Sequence, residues 1–88
     1  MELRSINYFV AIAELGNISA AALKLGIAQP ALTRHIKQLE SELNTILFNR
    51  LARGVQLTAS GRELLEYANR IVSEVAQAKH EISGLRSK

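Results

Sequence analysis

Apolar positions recur at helical spacing in most of the chain and cluster differently in one short stretch. Over 2–15, Leu3, Ile6, Val10 and Ala13 fall on one stripe that Phe9 and Ile12 widen, which predicts a first helix with one buried face, ended by Gly16. Ala20, Ala21, Ala22, Leu23 and Leu25 predict a second helix of about two turns. Ser19 is the expected cap and Gly26 the stop. Pro30 restarts helix near a first-turn position, where its missing N–H is not needed. Leu32, Ile36, Leu39 and Leu43 then line one face at intervals of four, three and four, opposite a stripe of Gln29, Thr33 and Lys37. Asn44 tolerates left-handed backbone and is expected to close this third helix.

The pattern then changes. Ile46 to Arg50 and Val55 to Leu57 are short, apolar and β-branched segments separated by Leu51, Ala52, Arg53 and Gly54, which predicts a hairpin with Arg50 at its base and Arg53 at its tip. Thr58 is the expected N-cap of the last element. There Leu64, Ala68, Ile71, Val75, Ala78, Ile82 and Leu85 repeat at intervals of 4, 3, 4, 3, 4 and 3. A helix from about Ala59 to Arg86 would be about 40 Å long at 1.5 Å per residue. Such a heptad seam predicts a homodimer through this helix. The competing arrangement lays the helix along its own domain, for which Leu65, Val72 and Ala76 offer a second flank.

A short helix, a tight turn and a longer helix opening with small, polar and basic residues form a helix-turn-helix unit, whose second helix lies in the DNA major groove. The expected fold is therefore mainly α: a winged helix-turn-helix with a short β-hairpin wing over 1–58 and a linker, or dimerisation, helix over 59–88. Ser19, Gln29, Pro30, Ala31, Thr33, Arg34, Lys37, Arg50 and Arg53 are the candidate DNA-contacting residues. Gln29 can pair with adenine, Arg34 with guanine or phosphate, and backbone N–H groups at the helix start with phosphate. The wing arginines can reach phosphate or the minor groove; in an arbitrary protein they would be solvated surface residues.

Charge refines this picture. The formal net charge is only +3, yet Lys24, Arg34, Lys37, Arg50, Arg53 and Arg62 face only Glu40 and Glu42 between residues 24 and 62. The two glutamates lie near the C-terminus of the third helix, so that end is expected to point away from DNA. Phe9 reads as a core aromatic, Tyr8 as half-buried packing and His35 and His80 as surface residues. The absence of cysteine excludes disulfides and thiolate metal sites, and no metal is expected. The longest wholly apolar run, Tyr8 to Ala13, is far short of the roughly 20 residues that a bilayer needs. Neither a signal peptide nor a membrane partner is expected, and the expected setting is cytoplasmic.

These residues, taken in order, resemble the N-terminal DNA-binding domain of LysR-type transcriptional regulators. The resemblance rests on Phe9, Val10 and Glu14, then Gly16, Ile18, Ser19, Ala21, Ala22 and Leu25, then Gln29 to Thr33 with Ile36, Leu39, Glu40 and Leu43. Leu47, Phe48, Arg50, Arg53, Val55, Leu57, Thr58 and Gly61 complete it. It implies major-groove contacts from Gln29, Pro30, Ala31, Thr33 and Arg34, a minor-groove contact from Arg53, and linker helices paired antiparallel. It also implies a further ligand-sensing domain of two α/β lobes, which binds a small inducer and drives tetramer formation; these 88 residues are expected to be a domain of that longer regulator. No cofactor is expected within them. Ala28 stands where the family commonly has serine, and Thr33 replaces the commoner serine. The rival reading is a helical protein interaction module, and an enzyme stands third because no paired carboxylates, activated nucleophile or phosphate-cradling loop is present.

Overall fold

A computed structural model describes residues 1–86, which form α1 (Leu3–Leu15), α2 (Ile18–Leu25), α3 (Gln29–Leu43), β1 (Phe48–Arg50), β2 (Val55–Leu57) and α4 (Ala59–Arg86). The helix stops are those the sequence predicts: Gly16, Gly26 and Asn44 take left-handed backbone at φ 65°, 70° and 55°. The cap of α2 is different. Asn17, not Ser19, holds extended backbone before the helix, and its Oδ1 accepts the Ala20 N–H at 2.9 Å. Asn17 immediately precedes Ile18, the first buried residue of the helix, and asparagine caps as well as serine does.

The core is built mainly from three helices. Ile6, Phe9, Val10, Ala11 and Ile12 of α1 meet Ile18, Ala21 and Ala22 of α2 and Leu32, Ile36 and Leu39 of α3. Phe9 is fully buried, with its ring 5.2 Å from that of Phe48. Leu3, placed on the buried stripe by spacing, is exposed; it borders a groove between α1 and α4 that Ile71, Val72, Val75 and Ala76 also line. Tyr8 is half-buried as expected, and its partner is the His35 ring of α3, met edge-on at 5.0 Å.

Between α3 and α4 the chain is tied at Leu47. Its side chain is buried, its N–H donates to Glu40 Oε2 at 2.7 Å and its carbonyl accepts the Thr58 N–H at 2.9 Å. The antiparallel pairing runs Phe48 with Leu57, Asn49 with Gln56 and Arg50 with Val55. The first strand is thus shorter than the Ile46 to Arg50 segment expected. Leu47 turns its N–H to a side chain rather than across the ladder, and Thr58 O accepts the first bond of α4, from Arg62 N–H at 2.9 Å. Thr58 is also the predicted N-cap: its Oγ1 accepts the Gly61 N–H at 3.0 Å and donates to Ile46 O at 2.6 Å.

The long helix has two regimes. Ala68 is fully buried in the protomer's own core, and Leu64, Leu65, Ile71 and Val72 pack against that core. Ala68 is therefore withdrawn from the predicted intermolecular seam, because the start of the helix lies on its own domain. The core likewise continues across residue 58, which marks the start of a helix rather than the edge of a folded unit. Farther along, Val75 is half-buried and Ala78, Ile82 and Leu85 are exposed, the last two by 60% and 66%. The extents of 52 × 25 × 19 Å reflect this projecting rod. Among the described residues, no helix is long and apolar enough to cross a membrane.

Two glycines of α4 are expected to respond oppositely to alanine. A Cβ on Gly61 would run into the Leu47 carbonyl and crowd the Leu57 side chain, whereas one on Gly84 meets nothing within 4 Å. Gly61→Ala should destabilise the domain by about 1–3 kcal/mol in urea unfolding despite alanine's higher helix propensity, and Gly84→Ala should raise the helical circular-dichroism signal. Stabilisation by Gly61→Ala would refute the close approach. Glu40→Ala strands the buried Leu47 N–H and should cost about 2–3 kcal/mol in the same assay, with a smaller loss for Glu40→Gln, which keeps an acceptor.

Candidate nucleic-acid interface

The turn from α2 to α3 is set by backbone bonds. Gly26 N–H reaches Leu23 O at 3.2 Å and Ile27 N–H reaches Ala22 O at 3.1 Å, which closes the end of α2 and aims the chain into α3. Ala28 occupies the N-cap of α3 with extended backbone and no side-chain bond, as expected from its lack of a hydroxyl. Ala31 and Leu32 both turn their N–H groups to Ala28 O, at 3.0 and 3.1 Å, and Pro30 has none. Of the N–H groups expected to meet phosphate at this helix start, that of Gln29 is left.

Side chains of α3 then divide by face. Leu32, Ile36 and Leu39 are buried, while Gln29, Pro30, Arg34 and Lys37 are exposed and Ala31 and Thr33 are half-buried. The hairpin stands beside this exposed edge. Val55 N–H donates to Gly16 O at 3.0 Å, fastening the wing to the end of α1, and Leu51 N–H donates to Gly54 O at 3.0 Å across the turn. Gly54 lies at φ 86° against the Gly16 carbonyl, with no room for a Cβ.

Arg50 is the residue that joins helix to wing. Pairing with Val55 puts it on the same hairpin face as Phe48 and Leu57, toward the domain. It lines a cleft with Thr33 and Lys37 of α3, and an adjoining cleft with Asn17, Ser19 and Gln29. Ser19 Oγ donates to Gln29 Oε1 at 2.8 Å, so these two predicted residues meet each other. Arg53 stands apart, exposed in the turn beside Ala52, which also borders the second cleft.

Charge is unevenly committed around this surface. Among the described residues the guanidinium groups of Arg34, Arg50 and Arg53 enter no ion pair or hydrogen bond. Lys37 Nζ lies 3.7 Å from Glu40 Oε1, Lys24 Nζ 4.0 Å from Glu14 Oε2, and Arg62 Nη1 donates to Leu57 O at 3.3 Å. The acids of this region are engaged: Glu40 with Leu47 and Glu42 with the N-terminal ammonium at 2.6 Å. Sequence reasoning placed Glu40 merely as an acid at a helix end, but it is 8% exposed and structural. The available signal was its position one residue after Leu39, on the edge of the apolar stripe. No local signal in the sequence pairs Ser19 with Gln29, ten residues apart.

Other proteins share this arrangement. The chain is 49% identical over 81 residues to the HTH-type transcriptional regulator ClcR of Pseudomonas putida, covering 90% of this chain and 28% of that protein. It is 54% identical over 72 residues to the regulator TfdS of Cupriavidus pinatubonensis, covering 82% and 24%. It therefore spans about a quarter of the length of these relatives. A crystal structure of the BenM DBD in complex with catB site 1 DNA superposes with a TM-score of 0.95 at 41% identity over 100% of this chain and 99% of that one. A crystal structure of CbnR, a LysR family transcriptional regulator, gives a TM-score of 0.88 at 41% identity over 94% of this chain and 29% of that one. Residues 3–62 match the pattern that defines the bacterial regulatory helix-turn-helix proteins of the lysR type, and the chain belongs to that family.

Proposed function

We infer that this protein binds double-stranded DNA sequence-specifically as the reading domain of a transcriptional regulator, in the cytoplasm. The observation that carries this reading is the grouping of the exposed start of α3 with a wing whose Arg50 and Arg53, like Arg34, are uncommitted, while the neighbouring acids are turned to structural partners. Unpaired guanidiniums can replace the counterions of phosphate, and a helix edge with Gln29 and Arg34 can address base edges. Arg50 suits a backbone contact beside the recognition helix, and Arg53 a contact farther out, in the minor groove.

The protein works as a homodimer through the projecting half of α4, with Val75, Ala78, Ile82 and Leu85 as its contact residues. Ile71 and Leu64 border that seam while also packing on their own core. Each protomer reads one half-site, and the paired helices set the distance between readers. A small-molecule inducer and tetramer formation belong to regulator sequence outside these 88 residues. The relatives are regulators, not enzymes, and a purely protein-binding module would leave the three free arginines without a role.

Selection from a randomised duplex pool tests the central reading: a partly symmetric motif with two spaced half-sites is expected, and retention without any motif contradicts it. Affinity should fall with salt at a log–log slope of about −0.9 per phosphate neutralised. Arg53→Ala should weaken binding and flatten the preference for A·T-rich flanks in competition assays; unchanged flank dependence would exclude a minor-groove wing. Ile82→Glu together with Leu85→Lys should give folded monomers in analytical ultracentrifugation with much weaker binding to a two-half-site duplex, because neither side chain supports the protomer core. A persisting dimer would place the seam elsewhere.

A further inference from the structure

We propose that Ser19 is a positioning residue for base readout: it fixes the Gln29 side-chain amide in the free protein, and thereby sets which base edge α3 prefers. The inference rests on the DNA-reading function above and concerns two side chains on different helices, with Ser19 Oγ donating to Gln29 Oε1 at 2.8 Å. Both residues are exposed and border the same cleft as Asn17 and Arg50.

Ser19 is available for this bond because of what Asn17 does. Asn17 Oδ1 accepts the Ala20 N–H and caps α2, so the Ser19 hydroxyl, two residues later in the first turn, is released from capping and reaches across to α3. Gln29 is the first residue of α3, where Ala28 supplies no capping side chain and nothing on its own helix holds the amide. An unrestrained glutamine loses rotamer freedom on binding, and its amide can present either end to a base. With Oε1 accepting from Ser19, the Nε2 hydrogens form the free end, directed to acceptors on a base edge such as purine N7 or guanine O6. Reversing the amide would exchange the roles, with Nε2–H donating to Oγ and Oε1 left free, so it is the sense of the bond, from hydroxyl to Oε1, that leaves the Nε2 hydrogens for the base edge. The hydroxyl thus acts through Gln29 rather than as the direct DNA contact expected of Ser19.

The test combines binding with a readout that needs no DNA. Wild type, Ser19→Ala, Ser19→Thr, Gln29→Ala and the double variant Ser19→Ala/Gln29→Ala are measured against duplexes changed one base pair at a time from the selected site. Gln29→Ala should lower the preference at one base pair of each half-site by about ten-fold, within the range of a single side-chain contact. Ser19→Ala should lower it at the same base pair by about five-fold, the worth of one neutral hydrogen bond, and add nothing to Gln29→Ala. Ser19→Thr should restore it. In the free protein the NMR order parameter of the Gln29 amide should fall in Ser19→Ala and recover in Ser19→Thr. Equal weakening by Ser19→Ala on every duplex would mean a direct phosphate contact and overturns the proposal, as does an amide equally mobile with and without Ser19. Sequence preference lost in Gln29→Ala but intact in Ser19→Ala overturns the role of Ser19 alone. A wild type that binds all duplexes alike overturns that role and the reading function together.

Discussion

The fold turns on one carboxylate. Glu40 accepts the Leu47 N–H at 2.7 Å at the point where α3 has ended and the wing has not begun. A buried amide must find a partner, and a charged acceptor makes that bond strong and directional. Around it, Thr58 N–H closes on Leu47 O, Thr58 Oγ1 ties Ile46 to the first turn of α4, and Gly61 lets that turn touch the strand backbone. Three elements are thereby fixed relative to one another within a few residues: the helix proposed to read DNA, the wing beside it, and the projecting helix proposed to pair with a second copy. The charge that local reasoning assigns to repulsion at a helix end is instead what sets their angles.

Much of this was legible beforehand, for identifiable reasons. Helix ends depend on residues that tolerate left-handed backbone, so Gly16, Gly26 and Asn44 could be read one at a time. The stripe on α3 follows from spacing, and the long helix from unbroken spacing together with Thr58. The boundary of β1 was not legible, because Leu47 could have joined the ladder and was diverted by a side chain seven residues earlier. The cap of α2 lies two residues before the one expected, since Asn17 and Ser19 are both good caps and only the start of burial at Ile18 separates them. The heptad was read as one seam, although a regular repeat does not tell an intramolecular partner from an intermolecular one; burial at Ala68 does.

The candidate interface follows the same division. That Gln29, Thr33 and Lys37 share a stripe is a property of the helix and was visible in the sequence. That Arg50 serves both clefts depends on hairpin register, which pairs it with Val55 and points it at the domain. The wing itself leans on α1 through Val55 and Gly16, so Arg50 is presented by a braced strand while Arg53 extends from the turn beyond it. Two arginines three residues apart therefore differ in reach.

The divided long helix also bears on dosage. A protomer that buries Ala68 and packs Leu64 and Val72 against its own core can complete its fold alone, so folding and the proposed pairing would be separate equilibria. While dimers are scarce, their number rises with the square of protomer concentration, by mass action. Occupancy of a two-half-site operator would then respond more steeply to the cell's supply of this protein than a single-headed reader could, a threshold set by how weakly the bare end of one helix holds another.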